Sequence, residues 1–478
     1  MITLKKATVA AKGESVLILA KSVDSIPSNI QLTTDQKLYI KQRIADNEKR
    51  LVFINKLGHY VIFLQIDEKV NGYNSVEKIR KNASTVASVL NDNKIKEITV
   101  FNLTSNPTYS FAAAEGLVLG SYQFIRFKKD AKKEQNTLKS VHIIDAKLDN
   151  KEVETMSIIL DATYKARDLV NLPLSHLNAV GLAKEIEKMG KESGCKVEVF
   201  NKSKIQSLKM GGLLSVNKGS IDPPTFTIME WKPKNAKNKK PYVLVGKGVV
   251  YDTGGLSLKP TANSMDLMKC DMAGSATVSC AVYAIAKAKL PIHVIALVPA
   301  TDNRPGGNAY APGDVITMYD GTNVEMLNAD AEGRMILADA LSYAKKYNPE
   351  LVLDFATLTG AAMAAIGPQG MVCMGVLDEK IKTKLKDSGN NVYERLAEFP
   401  FWEEYGDLIK SEIADIKNVG GPSAGAITAG KFLYHFTSYP WMHFDIAGPA
   451  FISAKDGYKS KGGTGVGVRF LFDFFRNI

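Results

Sequence analysis

Within Asn328–Leu341, NADAEGRMILADAL, the residues Asp330, Glu332 and Arg334 occupy alternate positions with Ala331 and Gly333 between them. Residues i, i+2 and i+4 share one face of an extended segment. The spacing therefore predicts two carboxylates and a guanidinium aimed into one site, with a helix following from Arg334. A second candidate stretch is Tyr242–Pro260, YVLVGKGVVYDTGGLSLKP, in which Lys247 stands in an otherwise apolar strand. An isolated buried charge is costly, so Lys247 must reach solvent or find a partner. Near a dication, a lysine amine can lose its proton and act as a neutral nitrogen ligand. Asp252 is followed by Thr253-Gly254-Gly255, a tight turn where backbone can approach a ligand, and then by Lys259. Asp271 lies just before a run of small residues that reads as a helix from about Gly274.

Taken singly, each feature has a plain reading: Asp266 and Asp271 as helix caps, and the 330–334 segment as a capped helix with a surface ion pair. Taken together, Asp252, Asp271, Asp330 and Glu332 would repel one another in a single pocket, a repulsion that divalent cations relieve. Carboxylates and one amine suit Mg²⁺, Mn²⁺ or Zn²⁺. Four carboxylates exceed the need of one catalytic ion, which predicts two bridged ions, an arrangement that activates water for hydrolysis. Histidine and cysteine do not compete for this role. The six histidines form no H-E-x-x-H pattern, and the four cysteines (Cys195, Cys270, Cys280, Cys373) form no C-x-x-C pair. Reduced, mostly buried thiols are expected.

The elements that must position these groups alternate. His59–Ile66, Glu97–Leu103 and Val141–Asp145 read as strands, Ser75–Asp92 as a helix, and Ala112–Lys129 carries apolar residues at helical spacing. Asn150–Asn171 is a long periodic helix stopped by Pro173. Beyond it, helical and strand patterns alternate again, through Lys196–Phe200, Thr225–Trp231, Tyr242–Val250, Ile292–Ala300 and Leu351–Gly360. The fold expected is α/β: a smaller N-terminal α/β domain (1–149), a connecting helix (150–172), and a larger C-terminal α/β catalytic domain (173–478) with a central mixed sheet flanked by helices.

The motif NADAEGRMILADAL resembles the N-T-D-A-E-G-R-L signature of the leucine (cytosol) aminopeptidase family. VGKGVVYDTGGLSLKP (245–260), MDLMKCDMAGSA (265–276), NAYAPGDVI (308–316), DFATLTGA (354–361), HFDIAGPA (443–450) and the C-terminal GGTGVGVRFLFDFFRN resemble the same family in order and spacing. The resemblance runs from about Ala166 to the end of the chain; upstream only AEGLVLGSYQFIRFK (114–128) is similar. It implies a two-metal exopeptidase that releases N-terminal residues, Leu and other apolar ones preferred, from peptides. By resemblance one ion is held by Asp252, Asp330 and Glu332, and a tighter one by Lys247, Asp252, Asp271 and Glu332. The ions implied are Zn²⁺ or Mn²⁺, with Mg²⁺ an alternative at the exchangeable site. Lys259 takes the place of the residue that stabilises the oxyanion, and Arg334 of the one that binds a bicarbonate general base. Leu358 and Gly360 would orient substrate through their backbone, and Met268 would line the first side-chain pocket. A homohexamer built as a dimer of trimers is implied too. Ala329 stands where the family usually has Thr, Ser264 is an extra residue, and DMAGSA replaces the commoner D-M-G-G-A; none removes a ligand.

At 478 residues the chain is long enough for two or three domains, and 45% hydrophobic with 23% charged residues is an ordinary globular composition. No apolar run approaches 18 residues, so no membrane span is expected. The apolar piece Val16–Ala20 is too short for a signal-peptide core and reads as a strand, so cytoplasmic residence is expected. The net charge of +11 is fed by Arg126–Lys139 and Lys232–Pro241. These read first as solvated loops and second as a polyanion-binding patch, which the lack of interleaved aromatics disfavours. A two-metal phosphoesterase is the rival enzyme reading; Lys247 as ligand and the motif order argue against it.

Overall fold

The computed structural model describes residues 1–11, 13–28, 30–46, 50–67 and 72–478. Their contacts form two compact units, Met1–Tyr164 with Ala454–Lys461, and Lys165–Ser453 with Gly462–Ile478. The division between the units falls inside the helix Asn150–Asn171, between Tyr164 and Lys165. Within the helix, the Tyr164 hydroxyl donates to the Val118 carbonyl of the first unit, while Arg167 Nε donates to the Thr464 carbonyl of the second.

The first unit is built on β1 (Thr3–Lys6), β2 (Ser15–Ala20), β3 (Leu51–Asn55), β4 (Tyr60–Gln65), β5 (Glu97–Asn102) and β6 (Ser140–Ile144), in the order β1-β6-β5-β2-β4-β3. All pairs are parallel except β3 with β4. Parallel strands need both faces covered, and the alternation of side chains meets this. Leu17, Leu19, Ile62, Leu64, Ile98 and Val100 pack with the helices Tyr73–Asp92 and Thr108–Gly120. Val16, Ile18, Val61, Phe63 and Phe101 pack on the opposite side with Ile40 of the helix Thr34–Ala45. The helical pattern read over Ala112–Lys129 ends early: the helix stops at Gly120, and Ser121 to Lys129 form no helix. There the Phe124 and Phe127 rings pack edge to face on each other instead of following a helical stripe.

The second unit holds β7 (Lys196–Phe200), β8 (Thr225–Trp231), β9 (Tyr242–Gly246), β10 (Gly248–Asp252), β11 (Val294–Asn303), β12 (Asp314–Thr317), β13 (Asn323–Met326), β14 (Leu351–Ala356), β15 (Met371–Val376), β16 (Leu396–Glu398), β17 (Ile416–Lys417), β18 (Trp441–Asp445), β19 (Phe451–Ile452) and β20 (Gly462–Gly463). Its main sheet is mixed, in the order β16-β15-β18-β14-β9-β11-β8-β7, with β10 continuing alongside β11. β18, β14, β9 and β11 run parallel, and β8 and β15 antiparallel to their inner neighbours. One face is closed by the wholly buried helix Glu332–Ala344 and by the helix Gly425–His435, whose Leu433 packs with Val243, Val352, Leu337 and Trp441. Among the described residues no helix is long and apolar enough to cross a membrane. The four cysteines are free thiols, three of them buried. The parallel strands carry the site at their carboxyl ends, where open α/β sheets leave a crevice.

Candidate metal centre

Lys247 joins β9 to β10, and the apolar strands on either side leave its side chain nowhere to go but inward. Its ammonium lies 2.8 Å from Asp271 Oδ2 and 2.9 Å from Glu332 Oε1, and donates to the Thr357 carbonyl at 3.0 Å. Burial works against its charge, but Asp271, Glu332 and Asp252 outweigh burial and hold the amine well above the ordinary lysine range. Asp252 ends β10. Its Oδ1 accepts from the Gly254 N–H and from Asn303 Nδ2, both at 2.8 Å, and its Oδ2 faces the Lys259 ammonium at 2.9 Å. Gly254 and Gly255 have φ of 84° and 59°, the left-handed region that turns the chain back toward Asp252 without a Cβ penalty. Lys259 also pairs with Asp330.

Asp271 sits between the short 3-10 helix Met265–Cys270 and the helix Ala273–Lys287, and accepts from the Thr357 hydroxyl at 2.8 Å. It is not the helix's side-chain cap; Met272 holds the N-cap position without a side-chain bond. Desolvation dominates the acids. It raises Asp252 to about 7, with Glu332 adding repulsion, and lifts Asp271 well above the carboxylate range. Asp330 is raised for the same reasons. Glu332 alone is lowered: burial pushes it up, but Lys247 and Lys259 together pull harder.

The expected extended run through Asp330, Glu332 and Arg334 is corrected by the structure. The helix starts at Glu332, not Arg334, so only Asp330 lies in the preceding turn. Two residues apart on a helix are about 200° apart around its axis. Glu332 faces Lys247, while the Arg334 side chain leaves the helix at a different angle and donates to the Asn418 carbonyl at 2.7 Å. Gly333, between them, is needed for close approach: a Cβ there would lie 2.4 Å from Lys247 Cε. Arg334 is buried; among the described residues no carboxylate lies within salt-bridge distance of it and its Nε makes no hydrogen bond, and burial lowers its pKa to about 10.

The structure thus brings together Lys247, Asp252, Asp271, Asp330, Glu332 and Lys259. Met268 is one turn before Asp271, whose N–H donates to the Met268 carbonyl. Leu358 and Gly360 lie in the turn after β14, next to Thr357. Sequence reasoning missed the supports. Asn303 donates to Asp252 and to the Ala329 carbonyl, and Tyr310 donates to the same carbonyl. The Asn418 side chain accepts from the Leu327 N–H and donates to the Asn328 carbonyl. Tyr310 lies within the NAYAPGDVI stretch, whose resemblance gave it no role, while Asn303 and Asn418 are single polar residues far from the segment they hold, which no local spacing marks.

The donor set fits divalent cations. Ligand oxygens of Asp252, Asp271 and Glu332 all lie within 4.8 Å of one another. Among the described residues Glu332 Oε2 is buried with no donor, and Asp271 Oδ2, Glu332 Oε1 and Asp330 Oδ1 are met only by the Lys247 and Lys259 ammonium groups, two cations for four carboxylates. Buried carboxylate oxygens in this state call for a cation, and hard oxygen donors with one amine suit Zn²⁺, Mn²⁺ or Mg²⁺.

Such a cluster at the carboxyl end of a mixed α/β sheet defines a metal-dependent hydrolase. Residues 164–472 match the catalytic domain of the cytosol aminopeptidase family. The chain is 48% identical over 377 residues to a "Probable cytosol aminopeptidase" of Chlorobaculum tepidum, covering 76% of this chain and 74% of that one. It is 44% identical over 428 residues to the corresponding protein of Chlorobium limicola, covering 84% of each. A mutant of tomato leucine aminopeptidase superposes with a TM-score of 0.86 at 26% identity, covering 100% of this chain and 97% of that one. The bottromycin maturation enzyme BotP, in complex with Mn, superposes with a TM-score of 0.85 at 27% identity, covering 97% and 99%. The chain belongs to the cytosol aminopeptidase family, and is a metal-dependent aminopeptidase.

Proposed function

We propose that this enzyme removes N-terminal residues, Leu and other apolar ones preferentially, from peptides with two divalent ions per subunit. The observation that carries this reading is the convergence of four buried or half-buried carboxylates on the Lys247 amine and Lys259, with Glu332 Oε2 left without a donor among the described residues. Asp252, Asp330 and Glu332 would hold one ion, and Lys247, Asp252, Asp271 and Glu332 the other, with Asp252 and Glu332 shared. Zn²⁺ or Mn²⁺ fits both positions, with Mg²⁺ as an alternative at the first. When bound, such ions supply Lewis-acid activation of water and an anchor for the free α-amine of the substrate.

The chain's own residues do the rest. Lys259, fixed between Asp252 and Asp330, is poised to donate to the scissile carbonyl and to the oxyanion that develops from it. Arg334, buried and short of partners, suits a small planar anion; a bicarbonate there would serve as general base. The turn carrying Leu358 and Gly360 orients the substrate main chain, and Met268 lines the first side-chain pocket. The family resemblance supports a homohexamer, a dimer of trimers, acting in the cytoplasm.

The test is hydrolysis of a panel of aminoacyl anilides by metal-replete enzyme. Chelation should abolish turnover and Mn²⁺ or Zn²⁺ should restore it. N-acetylated substrates should be inert. Full activity after verified metal removal, or equal cleavage of blocked and free substrates, would sink the proposal.

A further inference from the structure

Asp445 ends β18, directly opposite Ala356, where β14 stops and the chain turns through Thr357, Leu358 and Thr359 into the helix Gly360–Ile366. It is almost wholly buried. Its Oδ1 accepts from the N–H groups of Leu358 and Ala447, both at 3.1 Å, and its Oδ2 accepts from the Thr359 hydroxyl at 2.7 Å. Thr359 Oγ1 in turn accepts from the Ala362 N–H at 3.0 Å and caps the helix. Two residues upstream of Thr359, Thr357 braces the metal cluster from both ends: its carbonyl accepts from Lys247 and its hydroxyl donates to Asp271. Three consecutive residues thus connect Asp445 to two of the groups assigned above to a metal ion, none of which Asp445 itself touches.

We infer that Asp445 is a positioning residue for peptide hydrolysis, one that locks the 357–360 turn so that it presents its free backbone groups to the substrate while bracing Lys247 and Asp271. Because Asp445 takes the Leu358 N–H, the turn is left with the Leu358 carbonyl and the N–H groups of Thr359 and Gly360, and of these the Leu358 carbonyl and the Gly360 N–H are the pair that the family resemblance assigns to substrate. Among the described residues neither is hydrogen-bonded. The space in front of Gly360 is open, with nothing within 4 Å of where a Cβ would stand. A carbonyl acceptor and an amide donor two residues apart match the alternating polarity of a peptide main chain. Burial pushes the Asp445 carboxyl upward; His443, Thr359 and the two amides oppose it, so the donors on the turn are also what keeps this acid serviceable as an acceptor. The inference rests on the proposed peptidase reading for its substrate, and on the hydrogen bonds alone for the locked turn.

The experiment compares Asp445→Asn, Thr359→Val and Thr359→Ser with wild type. It measures kcat and KM on a leucyl anilide, Mn²⁺ content by elemental analysis, and hydrogen exchange at the Leu358 amide. Asp445→Asn keeps the shape but weakens the acceptor, and Thr359→Val cuts the hydroxyl link from the other side. Both should keep the fold, lower kcat/KM by about 10²-fold, as a misplacement near 1 Å does, and speed exchange at Leu358. Thr359→Ser restores the hydroxyl and should recover most of the activity, which a loss of bulk stability would not. Wild-type kinetics together with wild-type exchange in Asp445→Asn would overturn the inference, as would equal damage in Thr359→Val and Thr359→Ser. If wild type itself failed to cleave aminoacyl anilides, the peptidase reading would fail, while exchange at Leu358 would still decide whether Asp445 locks the turn.

Discussion

Replacing Gly333 by Ala puts one methyl group where the structure has least room for it. The added Cβ would lie 2.4 Å from Lys247 Cε, 2.6 Å from Nζ and 2.8 Å from Cδ. Carbon atoms in contact prefer about 3.5–4.0 Å, so the lysine must retreat by roughly 1 Å. A surface lysine would swing away at little expense. This one is almost fully buried and held at 2.8 Å to Asp271, 2.9 Å to Glu332 and 3.0 Å to the Thr357 carbonyl. Overpacking alone destabilises by about 1–3 kcal/mol, and disturbing a buried charge pair by up to about 3–5. Partial relaxation leaves a net loss of roughly 2–4 kcal/mol. The unit that holds Gly333, Lys165–Ser453 with Gly462–Ile478, is about 300 residues, for which the shift is about 1.5 °C per kcal/mol, so Tm should fall by roughly 3–6 °C. The amine should also be displaced from the ion proposed between Lys247, Asp271 and Glu332, so Mn²⁺ titration should show weaker binding at one of two sites. Turnover of a leucyl anilide should drop by about 10²-fold. Gly307→Ala is the control, because nothing lies within 4 Å of that Cβ position; it should leave Tm within about 1 kcal/mol equivalent. A Gly333→Ala enzyme with wild-type melting, Mn²⁺ binding and turnover would refute the account of how Lys247 is held.

Lys259→Ala should keep its metal yet lose about 10²–10³ in kcat, as removal of one oxyanion donor does, whereas Asp252→Ala should lose metal and activity together; elemental analysis beside kcat separates the two, and the reverse pattern would overturn the assignment. Arg334→Ala should cost less, on the order of 10–10² in kcat, because buffer anions or water can partly replace a general base, and its metal content should be unchanged. A pH effect on stability is expected from Asp339, buried in the helix Glu332–Ala344. Burial raises its pKa to about 7 despite the N–H groups of Leu213 and Tyr319 that its oxygens accept. Below about pH 4 both folded and unfolded chains carry the proton. Between there and about pH 7 only the unfolded chain releases it, so stability should fall by a few kcal/mol as pH rises through that window and level off above it. Chemical denaturation of Asp339→Asn should lack this slope; a slope equal to wild type would refute the assignment.

Much of the fold was legible before any coordinates, because the signals were local. The strands Tyr60–Gln65 and Glu97–Asn102 and the helix Asn150–Asn171 follow from apolar periodicity and from Pro173. The Ala112–Lys129 reading overran because helical spacing persists past Gly120, where packing takes over from pattern. The site residues were legible as types: acids and lysines embedded in apolar, glycine-rich runs have few uses other than a charged pocket, and the motif order pointed to one family.

Direction and support were decided in three dimensions. The alternate spacing of Asp330, Glu332 and Arg334 suggested one extended run, yet the helix begins at Glu332, and Glu332 and Arg334 meet different partners, Lys247 and the Asn418 carbonyl. A helix start with no side-chain cap, as at Ala331, leaves no mark in the sequence. Asn303, Tyr310, Asn418 and Asp445 hold the site through bonds to residues distant along the chain, from 19 positions for Tyr310 with Ala329 to 91 for Asn418 with Leu327. Sequence by itself determined which groups could bear the charge of a metal centre. Only the tertiary structure decided which of them meet, because hydrogen bonds and close contacts act over a few ångströms in space, whatever the distance along the chain.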